Sequence, residues 1–298
     1  MRVFLTGATG FIGSAIIPEL LGAGHQVLGL ARSEAAAQAL LAAGAEVHRG
    51  SLDDLASLRR GATASDGVIH TAFVHDFSAY AGACATDLRA VEAIGAALVG
   101  SGRPFIITSG TTMLTPGRLG TEDDTASLNS AGASRVPSEE AVLALAAQGV
   151  RSSVVRLPPS VHGDGDHGFV PALIGIARAT GVSAYIGDGL NRWPAVHRLD
   201  AARLFRLVLE EGTAGSRYHG VAEEGVPVRD IAAVISRHLN LPLVAKAPEE
   251  AADHFGWLAH FLKLDCASSS ALTQQRLGWR PSQSTLLSDL DLGTYFAG

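Results

Sequence analysis

Three glycines at a spacing of three, Gly7, Gly10 and Gly13, follow directly on an apolar run, Arg2 to Thr6, and lead into another, Phe11 to Leu21. The pattern reads as a strand, a tight turn and a helix, and its most useful chemistry is the holding of a pyrophosphate. Gly7 permits the turn, Gly10 lets the main chain approach an anion, and Gly13 lets the helix lie against the strand. The free N–H groups from Thr9 through Phe11 and Ile12 then face the phosphates. A glycine triplet alone serves tight strand-to-helix packing equally well, so residues further along the chain must decide between the two.

The second strand, His25 to Leu30, ends in Ala31-Arg32-Ser33. Dinucleotide folds place an acidic side chain here for the ribose 2′-hydroxyl of NAD, or an arginine for a 2′-phosphate. No Asp or Glu ends this strand, so Arg32, supported by the hydroxyl of Ser33, favours NADP(H), with NAD(H) as the alternative. The plain reading of Arg32 is a solvated strand end.

These residues need a scaffold, and apolar runs alternating with helical patterns supply one. Helices are expected at Glu34 to Ala43, Leu55 to Arg60, Ala83 to Val99, Glu139 to Ala147, Phe169 to Ala179 and Ala201 to Glu211. Strands are expected at 44–50, 67–73, 104–109 and 150–157, which together predict an α/β fold with a parallel sheet. Loops beyond the carboxyl ends of such strands line the ligand crevice, making His75, Asp76 and Tyr80 candidates for contact with substrate.

With 298 residues, 47% hydrophobic and 17% charged, the chain reads as globular, with core enough for one large domain and a smaller one. Its net charge of −6, from 23 basic and 29 acidic residues without a basic block, argues against nucleic acid as a partner. Cys84 and Cys266 suggest neither a bridge nor a metal cluster, and point to reduced thiols in the cytoplasm. The N-terminus does not read as a signal peptide. No apolar run approaches the roughly 20 residues of a membrane span. The loop Gly163-Asp-Gly-Asp-His-Gly168 reads as a flexible part of the substrate entrance, and it lacks further carboxylates at EF-hand spacing, so no metal is expected.

The segment Thr6-Gly7-Ala8-Thr9-Gly10-Phe11-Ile12-Gly13 after an N-terminal strand resembles the short-chain dehydrogenase/reductase superfamily, in its extended, epimerase/dehydratase-like branch. Further likeness lies in Pro158-Pro-Ser-Val-His-Gly163, in Gly187-Asp-Gly189 with Val196-His-Arg-Leu-Asp200, and in Leu277-Gly-Trp-Arg-Pro281. The resemblance implies a Rossmann-type doubly wound parallel sheet with a small C-terminal substrate-binding domain. Residues 1–160 would bind the dinucleotide, with 190–222 returning to them, while 161–189 and 223–298 would form the smaller domain.

The resemblance also implies roles. Asp53 would lie near the adenine with Leu52 on its edge, although Asp53 equally reads as a helix N-cap. Thr71, Ala72 and Phe73 would pass beside the ribose, and Pro158 and Val161 beside the nicotinamide. Arg192, Trp193 and His197 would stand over the substrate with His75 and Tyr80, while Asp200 would cap a helix. Relatives pair through elements matching 84–99 and 139–147, which implies a homodimer.

The sequence departs from the family in its catalytic residues. Gly110 occupies the position of the usual Ser or Thr, between Ser109 and Thr111. The Tyr-x-x-x-Lys pair is missing, with Ala131 and Arg135 in its places. Arg135 cannot give up a proton, but its fork of donors suits a ribose or an anionic substrate. The expected activity is an NADP(H)-dependent oxidoreductase of a carbonyl/alcohol pair in a small molecule, with Thr111, Ser109, His162 or Tyr80, in that order, or water supplying the proton. The alternatives are a nucleotide-sugar epimerase or dehydratase, and a regulator that senses NADP(H) without turnover.

Overall fold

The computed structural model describes residues 1–75 and 79–296, and Asp76 lies outside them. The first half alternates strand and helix: β1 (Arg2–Thr6), α1 (Gly13–Gly22), β2 (Gln26–Ala31), α2 (Glu34–Ala42), β3 (Glu46–Arg49), α3 (Leu55–Thr63), β4 (Gly67–His70), α4 (Tyr80–Ala96), β5 (Pro104–Gly110), α5 (Val136–Ala144) and β6 (Arg151–Leu157). The second half contains β7 (Ser160–His162), α6 (Phe169–Thr180), β8 (Ser183–Ile186), β9 (Arg192–His197), α7 (Arg198–Glu211), β10 (Ser216–His219), β11 (Glu223–Pro227), α8 (Val228–Leu239) and β12 (Leu243–Lys246). It closes with α9 (Ala251–Phe255), α10 (Ala259–Leu262), α11 (Ala271–Leu277) and α12 (Leu286–Leu292).

Seven strands form one parallel sheet in the order β10-β6-β5-β4-β1-β2-β3. Helices cover both faces, which is why the central strands are apolar almost throughout instead of alternating. Residues of α1, α2 and α7 pack on one face, while α3, α4 and α5 pack on the other. The strand order reverses at β1, so a crevice opens between the loops that follow β1 and β4. A second apolar core joins α6, β9, α8, α9, α10 and α12 beside the β11-β9-β7 and β12-β8 sheets. Among the described residues no helix is long and apolar enough to cross a membrane.

Some boundaries differ from expectation for local reasons. Helix α5 starts three residues early, at Val136, because Pro137 fits the first helical turn where a missing N–H costs nothing. Strand β4 stops at His70, and residues 71–73 leave the sheet for the crevice. Asp54 caps α3 by accepting from the Ser57 amide at 2.9 Å, so Asp53 is not the cap. Asp200 lies within α7 and caps nothing; its carboxylate accepts from the amides of Ser282 and Gln283, while His197 caps the helix.

Beneath β5 and β6 lies a buried polar layer. Glu139 accepts from the Ser109 hydroxyl at 2.9 Å, from Arg156 through Nε at 3.1 Å and a second, shorter contact, and from Arg217 at 3.0 Å. Arg156 also donates to the Asp124 carbonyl at 2.8 Å and approaches His219 Nε2 at 3.4 Å. With Nδ1 donating to the Ser269 carbonyl at 2.8 Å, His219 is neutral. Burial, aided by the Arg156 charge, lowers its pKa to about 4. Between about pH 6.5 and 4 the unfolded chain therefore binds a proton that the folded one refuses, and stability falls as pH falls through that window. We expect Tm to drop on acidification there, and the drop to be shallower in His219→Gln. Parallel melting profiles of the two proteins would contradict this.

Candidate active site

The glycine turn has the close contacts that its spacing predicts. Gly7 has φ +68°, and a Cβ on it would lie 2.6 Å from the Ala72 nitrogen. A Cβ on Gly13 would lie 2.1 Å from the Gly7 carbonyl oxygen, so α1 enters against bare main chain. At Gly10 a Cβ would meet only that same oxygen, at 3.1 Å, and its other side is open. The first helical bond runs from Ser14 N–H to the Gly10 carbonyl at 2.9 Å, leaving the amides of Phe11, Ile12 and Gly13 ahead of the ladder. No acidic residue occupies the first turn of α1. Bare amides at a helix start form a cradle for a diphosphate.

This cradle opens into a cleft of about 1220 Å³ along the carboxyl ends of the strands. At one end it is lined by Arg32, Ser33, Leu52 and Asp53. Arg32 is exposed, and the Ser33 hydroxyl caps α2 by accepting from the Ala36 amide at 3.2 Å. Thr71, Ala72, Phe73, Pro158 and Val161 line the middle.

Beyond them stands Arg135. Its guanidinium donates to the Thr108 carbonyl at 2.8 Å, lies 4.4 Å from the centroid of the Phe73 ring, and is 3.9 Å from Asp87. Asp87 is buried, and burial alone would raise its pKa. The hydrogen bond from His70 at 3.2 Å and the Arg135 charge outweigh that and lower it. His70 is tied in turn to the Thr6 hydroxyl at 2.7 Å. A chain from β1 through β4 to α4 thus fixes one cation at the cleft. Tyr80 and His75 line the same region. Burial pushes Tyr80 up to about 12, so it stays protonated, and burial with the Arg135 charge holds His75 below its usual value.

A model of the NAD dependent epimerase/dehydratase family matches residues 3–220. The chain belongs to that family. An uncharacterized protein of Schizosaccharomyces pombe is 55% identical, over 99% of this chain and 100% of its own length. The 4-hydroxy-2-methyl-3-oxo-4-farnesyl-3,4-dihydroquinoline-1-oxide ketoreductase of Stigmatella aurantiaca is 29% identical, over 76% of this chain and 70% of its own. The fold is shared with dTDP-glucose 4,6-dehydratase DesIV from Streptomyces venezuelae, solved with NAD and TYD bound. Its TM-score is 0.80, at 21% identity, with 99% of this chain and 96% of that one covered. Membership in the epimerase/dehydratase family supports an NAD(P)-dependent, oxidoreductase- or epimerase-like role.

Several residues expected at the site of this epimerase/dehydratase family member stand outside the cleft lining. Thr111 is buried in a short turn (Thr111–Met113), and its hydroxyl has no partner among the described residues. His162 is buried and bound to Asp289 at 2.8 Å, and burial lowers its pKa despite that carboxylate. Arg192 is held in two parallel bonds by Asp265, at 2.9 and 3.0 Å. Trp193 is fully buried, and His197 faces a separate recess with Asp164, Ser288 and Asp289. Ser109 does border the cleft, but its proton is directed at Glu139.

Other residues line the cleft as well, among them Asp166 and His167 from the Gly163–Gly168 loop that the sequence assigns to the substrate entrance. Thr112 takes the place expected for Thr111 because successive residues of a 3₁₀ turn point about 120° apart. Phe169, Trp257 and Phe261 also line the cleft, and the His167 ring lies 5.8 Å from that of Phe11 in the glycine turn. For these three aromatic residues, only the spacing of four between Trp257 and Phe261 was a usable signal, for a shared face. Among the described residues no group of three or more His, Cys, Asp or Glu side chains is placed to hold a metal ion.

Proposed function

We propose that the protein is an NADP(H)-dependent reductase of a small carbonyl compound, able to run in reverse on the alcohol. The observation that carries this reading is one continuous cleft joining the Gly7–Gly13 cradle to the fixed Arg135 cation and the Thr112 hydroxyl. The cradle fits the diphosphate of a nicotinamide dinucleotide, and Arg32, Ser33, Leu52 and Asp53 would hold its adenosine end. When bound, the nicotinamide supplies a hydride to the carbonyl carbon. Thr112 donates a hydrogen bond to the oxygen that becomes negative, and Arg135 stabilises that charge from a preorganised position. Water, or His75 when protonated, delivers the proton.

In this reading 161–189 and 223–298 form the substrate domain, with 190–222 rejoining the nucleotide domain. Two buried, unpaired cysteines fit a reducing compartment such as the cytoplasm. The ketoreductase among the relatives acts on a carbonyl, which agrees with this assignment.

Consumption of NADPH with a panel of ketones and aldehydes tests the reading. Tight cofactor binding with no turnover across the panel would point to a sensor, and conversion of a nucleotide sugar with cofactor never released would point to an epimerase. Arg32→Asp is expected to weaken NADPH at least about tenfold more than NADH, in line with the loss of one charge-assisted hydrogen bond. Equal weakening of the two nucleotides in calorimetric titration would show that Arg32 does not meet a 2′-phosphate.

A further inference from the structure

One part of the cleft lining is a cluster of aromatic rings. Phe169 opens α6, with its ring centroid 5.7 Å from Trp257 and 5.0 Å from Phe261. Trp193 backs Phe169 at 5.7 Å from the buried side, and this support fixes the wall. Trp257 keeps 48% of its surface exposed although it is packed on two rings. Ala172, three residues along α6 from Phe169, also lines the cleft.

Among the described lining residues few charged side chains stand near this cluster. Arg135 is fixed by the Thr108 carbonyl and the Phe73 ring. Asp166 accepts from the Gly168 amide at 2.7 Å and the Tyr295 hydroxyl at 3.0 Å, and burial raises its pKa. The two lysines of the chain, Lys246 and Lys263, are not among the lining residues. Arg192, which the resemblance placed over the substrate, is paired with Asp265 away from the cleft. A second diphosphate, such as that of a nucleotide sugar, calls for several counter-charges, and among the described lining residues Arg135 is the one fixed cation near this cluster.

We propose that the wall of Phe169, Trp257 and Phe261 binds a planar, uncharged, apolar carbonyl compound such as an aryl ketone, stacked on Trp257 with its oxygen toward Thr112. The inference rests on the carbonyl-reductase reading and names its substrate class. Aromatic rings give large apolar contact with orientation, which suits a flat ligand that has one polar atom to place.

The test uses 2-acetonaphthone and UDP-glucose as probes, titrated calorimetrically into the full-length protein saturated with NADP+. 2-Acetonaphthone is expected to bind. Trp257→Ala should weaken it about tenfold or more, leave the Kd of NADPH within twofold, and raise KM without lowering kcat in proportion. Trp257→Phe should recover most of the loss, which a merely structural role would not predict. Tighter binding of UDP-glucose, or unchanged 2-acetonaphthone binding in Trp257→Ala, overturns the inference. If the protein takes up NADP+ but not 2-acetonaphthone, the substrate class alone falls; if it takes up neither pyridine nucleotide, the reductase reading falls with it.

Discussion

Glu139→Ala is expected to cost about 3–5 kcal/mol, the usual penalty for breaking a buried ion pair, and to lower Tm by roughly 6–15 °C. The size reflects the groups left behind. Arg156 is fully buried, and without Glu139 its charge keeps only a carbonyl and a neutral imidazole as partners. Arg217 and the Ser109 hydroxyl lose an acceptor in the same step. Glu139→Gln preserves shape and should cost less, which separates loss of charge from loss of packing. The native carboxyl also carries a pH signature. Burial pushes its pKa up, but the hydrogen bond and charge of Arg156 prevail and hold it below the ordinary 4.5. Its contribution is therefore complete above about pH 4.5 and lost as pH falls toward the folded value. A Glu139→Ala protein that melts within 2 °C of the native one would show that the buried layer does not hold β5, β6 and α5 together.

The glycine turn is expected to give the second large effect, and two substitutions divide it. Gly13→Ala puts a methyl 2.1 Å from a carbonyl oxygen that cannot rotate away, so α1 or the turn must shift. We expect about 1–3 kcal/mol of lost stability, the usual scale of overpacking, together with weaker nucleotide binding, because displaced amides no longer converge on the diphosphate. Gly10→Ala meets a single contact at 3.1 Å, so it should fold almost as well. Its methyl stands on the face that the diphosphate would approach, and affinity should fall while Tm moves by less than about 2 °C. Thermal melts with equilibrium dialysis of NADPH read both quantities. A Gly10→Ala protein that binds NADPH like the native one would remove the turn from the binding site.

The part of the site that was legible in sequence is the part made by main chain. Gly7, Gly10 and Gly13 announce their roles because each satisfies a steric demand within a few residues of itself, and alternating apolar runs place the turn at a strand end. The same local logic gives Tyr80 to the crevice, since it follows a strand end, whereas Phe73 and Arg135 were placed there by the family resemblance. Thr111 and Thr112 show where that logic stops. One residue of rotation in a 3₁₀ turn exchanges the buried hydroxyl for the accessible one, and no periodicity records that rotation. His162 and Arg192 were withdrawn by partners 127 and 73 residues away, Asp289 and Asp265. The aromatic wall was hidden for the same reason, because Phe169 meets Trp257 and Phe261 only after the second core has formed.

The three tryptophans divide into two that are sealed and one that is half open: Trp193 and Trp279 are fully buried, while Trp257 stands on the cleft. A collisional quencher such as iodide should therefore extinguish one indole and spare the other two. The spared emission reports whether the interior is intact, and the quenchable fraction reports who occupies the cleft. The molecule carries its own optical gauge of occupancy, readable without label or turnover.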